Sequence, residues 1–238
     1  MAESSSGGTT VQIGAIESYL NGPGDTTRRP GVIVIHEACG LNDNIRSIAD
    51  RFVEQGYRAL AVDLFSHGGN RRFCMVRVML SVLTNPLRSF SITDLDNAVR
   101  YLRKRPDVDP ERIGVIGFCM GGTFTLALAV HNKQVAVAHA FYGAAPRPLE
   151  RVALACPIAA SYGADDRFFA NQGRTLEQAL EQYNIPHDVK IYPGAGHSFF
   201  NDTRPSYRPE AAADAWQRTL AFFAAHLGLS NEGASPGS

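Results

Sequence analysis

Hydrophobic positions along the chain fall into two alternating arrangements. Short apolar runs stand at Gly31–His36, Arg58–Val62, Ile113–Gly117, Val135–Tyr142, Ile158–Tyr162 and Asp188–Tyr192. The first is a continuous β-branched run, the signature of a strand buried on both faces of a parallel sheet. Longer stretches between the runs predict helices over Asn44–Gln55, Ile92–Arg103, Gly121–His131, Gln172–Tyr183 and Pro209–His226. In the last, Ala213, Trp216, Leu220, Phe223 and Leu227 recur at spacings of three and four and form one apolar face. Val11–Leu20 alternates, as an antiparallel edge strand would. The segment Asn70–Phe90, with Met75, Val78, Met79, Leu80 and Leu83, reads either as an apolar cap over a cleft or as a core or interface helix. Strand–helix alternation of this kind predicts an α/β chain: a mostly parallel central sheet, helices on both faces, right-handed crossovers. In such sheets chemistry gathers in the loops at the carboxyl ends of the strands.

Length and composition narrow the picture. The 238 residues suit one domain, expected over 11–229, with small polar tails at 1–10 and 230–238 expected to be mobile. Lys plus Arg and Asp plus Glu number 23 each, so the formal charge is zero. The densest basic stretch, Arg100–Arg105, is followed at once by Asp107, Asp109 and Glu111, so no nucleic-acid partner is expected. The N-terminus lacks the basic and apolar regions of a signal peptide, and no apolar run is long enough to span a bilayer. Four widely spaced cysteines (Cys39, Cys74, Cys119, Cys156) include no C-x-x-C pair, so neither a metal site nor a cofactor is expected. Free thiols and the missing leader predict a cytoplasmic protein, monomer or homodimer, without a membrane partner. Asn201-Asp202-Thr203 matches a glycosylation acceptor but has no secretory context.

The polar residues at strand ends suggest chemistry. Gly117-Phe118-Cys119-Met120-Gly121-Gly122 follows a strand and leads into a helix. This is the G-x-S-x-G elbow of the α/β-hydrolase fold with cysteine for serine, whose glycines permit the close backbone approach of a sharp strand-to-helix turn. The helix beginning there points its positive end at the sulfur, which predicts a favoured thiolate. The triad order of this fold requires an acid and then a histidine downstream. Gly163-Ala164-Asp165-Asp166 ends one strand; Asp166 completes a G-x-x-D spacing and is preferred to Asp165 as the acid. Gly194-Ala195-Gly196-His197 follows the last strand, and His197 is the expected base. His131, His139, His187 and His226 lie on helix or strand patterns or at exposed ends and read as structural. The loop His36-Glu37-Ala38-Cys39-Gly40 should face the elbow, making the N–H groups of Ala38 and Met120 the expected oxyanion donors. It is not the zinc motif H-E-x-x-H, because residue 40 is glycine.

With these motifs together, from Val11 to about Leu227, the chain resembles the dienelactone hydrolase family. The resemblance implies that Cys119 attacks a small-molecule ester or lactone carbonyl. It also implies that Glu37 contacts the resting thiol and helps to form the thiolate when substrate arrives. The family's substrate-carboxylate arginine, four residues past the histidine, is here Asn201, with Arg204 three residues further on. A second family arginine falls in the region holding Arg71, Arg72, Arg77 and Arg88. Asn201, Arg72 and Arg77 are accordingly expected near substrate. Acyl transfer, or thiol-based redox sensing without turnover, are the competing readings on the same fold.

Overall fold

The computed structural model describes residues 7–228. Eight strands form one sheet in the order β1-β2-β4-β3-β5-β6-β7-β8. Their spans are β1 Thr9–Ile13, β2 Ile16–Asn21, β3 Arg29–Ile35, β4 Arg58–Val62, β5 Val108–Phe118, β6 Val137–Phe141, β7 Ile158–Gly163 and β8 His187–Tyr192. All neighbours from β4 onward in this order are parallel, while β2 is antiparallel to both β1 and β4. The alternating run Val11–Leu20 is two strands rather than one. Gly14, at φ 57°, turns the chain so that Ile13 pairs with Ile16. The first strand opens at Thr9, inside the stretch expected to be a tail; positions 1–6 and 229–238 of the expected tails lie outside the described residues.

Among the described residues, six α-helices connect or flank the strands: α1 Asp43–Glu54, α2 Arg71–Thr84, α3 Phe90–Arg103, α4 Met120–His131, α5 Arg167–Gln182 and α6 Pro209–Leu227. Polar side chains start several of them. Asn42, Asn70 and Asp166 each accept a hydrogen bond from the N–H three residues on, satisfying a donor that the first helical turn leaves open. The Asp166 cap begins α5 five residues before the apolar periodicity at Gln172 suggests. Gly228 ends α6 in the left-handed conformation, at φ 67°.

The helices cover both faces of the sheet. A Cβ on Gly31 would meet Ile113 of β5 and Leu102 of α3, whereas one on Gly114, the residue after Ile113, would meet Phe223 and Leu227 of α6. Successive strand residues point to opposite faces, so α3 and α6 lie on opposite sides of β5. Helix α1 shares the α6 side: the Phe52 ring stands 4.8 Å from Trp216 and 5.8 Å from Phe223. The α6 stripe is rotated from the expected one, with Ala213 exposed and Ala212, Ala215 and Thr219 buried. The Arg51 guanidinium lies 4.0 Å over Trp216, which also neighbours Phe200, itself stacked on Phe118 at 5.4 Å. Helix α2 buries only Cys74 and Val78.

Candidate active site

Segments that follow the carboxyl ends of β3, β5 and β8 meet around a cavity of about 480 Å³. Its wall holds Glu37, Ala38, Cys39, Cys119, His197, Ser198 and Arg204. Cys119 occupies the point where β5 passes into α4, at φ 55° and ψ −114°, a conformation L-residues rarely adopt. It is pinned there by its N–H, which donates to the Phe141 carbonyl at 3.0 Å, and by its carbonyl, which accepts from Thr123 N–H at 3.1 Å. The glycines around it are sterically required. A Cβ on Gly117 would strike the Gly121 carbonyl, one on Gly121 the Ile35 and His36 carbonyls, and one on Gly122 the Phe141 carbonyl.

His197 and Asp166 come together across the ends of β8 and β7. The ring Nδ1 stands 2.6 Å from Asp166 Oδ2, while the other oxygen, Oδ1, accepts from Phe169 N–H at 3.3 Å. The carboxylate that caps α5 therefore also orients the imidazole. Asp165 is exposed, and its N–H is bonded to the Ala195 carbonyl. The imidazole lies between the rings of Tyr142 and Phe169, each 4.9 Å away.

Glu37 is 6% exposed and is held by three donors. Tyr142 O–H and Ser198 O–H donate to Oε1 at 3.2 and 3.0 Å, and Asn201 Nδ2 donates to Oε2 at 2.9 Å. The His36 ring fixes this loop from below: Nε2 accepts from Leu64 N–H at 3.1 Å, leaving Nδ1–H to donate to the Glu37 carbonyl at 2.6 Å. Both tyrosine and cysteine respond to this environment. Burial, then the neighbouring Glu37 charge, raises the Tyr142 phenol well above its ordinary range. Burial first, and Glu37 second, push the Cys119 thiol up to about 11. The Met120 N–H at the helix start pulls the other way but does not prevail. A favoured resting thiolate is thus corrected: removing the sulfur from water, beside a carboxylate, outweighs the helix end.

The expected substrate contacts are also rearranged. Asn201 is buried, and its amide is engaged by Glu37 on one side and by Thr203 N–H and O–H on the other. Arg72 and Arg77 are exposed on α2 and do not line the cavity; Arg77 lies over Phe90 at 4.5 Å. Nor does any residue of α2 cap it. The cation at the cavity is Arg204, whose Nη2 stands 2.6 Å from Cys39 Sγ. Ser198 and Tyr142, both at positive φ, were not foreseen as partners of Glu37. His131, His139, His187 and His226 all lie away from the cavity wall. Among the described residues, no three His, Cys, Asp or Glu side chains are grouped to hold a metal ion.

Comparison with known proteins identifies the family. The profile described as "Dienelactone hydrolase family" matches residues 16–227. A Yersinia pestis protein provisionally named a carboxymethylenebutenolidase is 32% identical over 236 residues, covering 92% of this chain and 88% of the relative. An Escherichia coli K12 protein with the same provisional name is 35% identical, covering 82% and 76%. The crystal structure of a provisionally named dienelactone hydrolase from Klebsiella pneumoniae superposes with a TM-score of 0.80 at 30% identity, covering 91% of this chain and 98% of that one.

Proposed function

Since the chain belongs to the dienelactone hydrolase family and is a hydrolase of the ester and lactone type, we propose that it works through Cys119, His197 and Asp166 by way of a thioester acyl-enzyme. The observation that carries this reading is the 2.6 Å Asp166–His197 bond beside a cavity that also holds Cys119 on its strained elbow.

In the resting protein the thiol keeps its proton, because burial and the Glu37 charge both oppose the thiolate. With substrate seated, the proton passes to His197 Nε2 and Sγ bonds to the carbonyl carbon. The Ala38 and Met120 N–H groups receive the oxyanion, each such donor being worth about 3 kcal/mol in the transition state. Collapse breaks the C–O bond; the leaving oxygen takes the proton from His197, and the acyl group remains on sulfur. Water then gives a proton to His197 and attacks the thioester, and the expelled sulfur recovers that proton. Asp166 holds the ring so that Nε2 faces the chemistry. Glu37, fixed by Tyr142, Ser198 and Asn201, governs when the sulfur becomes nucleophilic. For substrates that carry an anionic group, Arg204 is the cation at hand, in place of Arg72 and Arg77.

Stopped-flow hydrolysis of p-nitrophenyl acetate and of a dienelactone, by wild type and Cys119→Ala, tests the proposal. A burst that disappears in Cys119→Ala supports the acyl-enzyme, and the ratio of the two substrates reports on specificity. A folded Cys119→Ala protein with unchanged turnover would overturn it. Product analysis with added alcohols separates hydrolysis from acyl transfer. The raised thiol pKa weighs against a redox sensor, which needs an easily formed thiolate.

A further inference from the structure

Helix α2 carries its hydrophobic residues on the wrong side for a core helix. Cys74 and Val78 face the protein, while Phe73, Val76, Leu80 and Leu83 are 62, 51, 55 and 77% exposed. Their spacing of three, four and three puts them in one stripe along the outer face. A contiguous apolar stripe in solvent marks a contact surface. The charge carried by this segment is of one sign: from Leu64 to Thr93 the sequence holds Arg71, Arg72, Arg77 and Arg88 and no acidic residue.

A second feature adjoins the first. Past the C-terminal end of α2, Asn85, Arg88, Arg147, Arg151 and His131 line a cleft of about 340 Å³. Among the described residues no carboxylate lies within ion-pair distance of the three guanidinium groups, although Arg71 of α2 pairs with Asp63 and His131 with Asp96. Glu150, exposed between Arg147 and Arg151, is the acid nearest to those two in sequence. Several guanidinium groups converging on one cleft suit the oxygens of a phosphoryl group.

We propose that α2 and this arginine cleft dock the protein on an anionic phospholipid surface, the stripe entering the interface and the arginines taking a headgroup phosphate. Aromatic and leucine side chains flanked by arginine suit the boundary of an anionic bilayer. A second copy of the chain fits less well, since two such faces would set arginine against arginine with no acid from either helix between them. No described helix is long and apolar enough to cross a membrane, but a docked helix lies along the surface. The proposal is independent of the catalytic reading.

The test is co-sedimentation of the full chain with vesicles of phosphatidylglycerol and phosphatidylcholine, against phosphatidylcholine alone. The wild type is expected to pellet with the anionic vesicles only, and less at high salt. Leu80→Asp/Leu83→Asp should abolish pelleting. Arg147→Gln/Arg151→Gln should weaken it about 25-fold, at about fivefold per arginine. Both variants should keep hydrolysis of a soluble ester, which shows that they are folded. Three results would overturn the proposal: no binding to anionic vesicles; binding that survives the leucine substitutions; or a wild-type dimer in sedimentation velocity that the leucine variant splits, which would make the stripe a self-interface. Binding of inorganic phosphate at the arginines by a wild type that ignores vesicles would assign the cleft to a free anion instead.

Discussion

Replacing Glu37 by Gln tests what keeps Cys119, the proposed nucleophile, quiet at rest. The Cys119 thiol stands at about 11 against an ordinary 9.0, which at neutral pH means about a hundredfold less thiolate than an unperturbed cysteine has. Burial is the larger cause and the Glu37 charge the second, so removing the charge returns the smaller share, on the order of one pKa unit. At pH 8 the thiolate fraction, and with it the alkylation rate, should rise roughly three- to tenfold. The substitution has a second effect. Tyr142 and Ser198 can still donate to an amide oxygen, but the new amide nitrogen would face Asn201 Nδ2, donor against donor. Asn201 cannot simply turn over, because its Oδ1 is held by Thr203. A buried donor without an acceptor costs about 1–3 kcal/mol, and the strain falls on the loop that carries His197, so ester turnover should fall. The assay is iodoacetamide labelling followed by mass spectrometry of the Cys119 peptide, because exposed Cys39 reacts independently. Faster labelling with slower hydrolysis is expected. Unchanged or slower labelling of Cys119 in a folded variant would refute the electrostatic account.

Other substitutions separate chemistry from stability. Asp166→Asn keeps a side chain able to cap α5 but no longer holds the imidazole as a carboxylate does; kcat should drop on the order of 100- to 10,000-fold with little change in the urea midpoint. Gly121→Ala drives a methyl group into the Ile35 and His36 carbonyls and should cost more than about 3 kcal/mol together with activity, measurable by urea unfolding and ester turnover. His139 is buried between Ser161 Oγ at 3.0 Å and Thr219 Oγ1 at 2.8 Å, and burial lowers it to about 3. A histidine depressed in the folded state stabilises fully above its unfolded value near 6.5 and progressively less as pH falls toward 3. Between pH 7 and pH 4 this group should remove about 3 kcal/mol, and His139→Gln should flatten that part of the urea-stability profile.

Local pattern made much of the molecule legible. The parallel strands announce themselves as apolar runs, and the elbow and the histidine loop as glycine clusters whose backbones must approach closely. The hairpin was missed because the alternation of Val11–Leu20 reads straight through Gly14. The partners of Glu37 were missed for a different reason. Tyr142, Ser198 and Asn201 lie 105, 161 and 164 residues away in sequence, and only the sheet order brings them to one carboxylate. The choice of arginine failed likewise: Arg72 and Arg77 belong to a helix whose placement is set by tertiary packing, and that packing turns them outward. The thiolate expectation weighed the helix end, which is local, without the burial and the carboxylate, which are not.

The chain holds one tryptophan, and the fold sets it where it can observe the chemistry. Trp216 lies under Arg51 and against Phe200, a member of the His197 loop that stacks on Phe118, the residue before Cys119. The indole is therefore a built-in optical reporter, two aromatic rings removed from the nucleophile. On the proposed mechanism, an acyl group on the sulfur or a shift of the histidine loop would reach it through Phe200. Its emission offers a dye-free signal for following single turnovers in the unmodified protein.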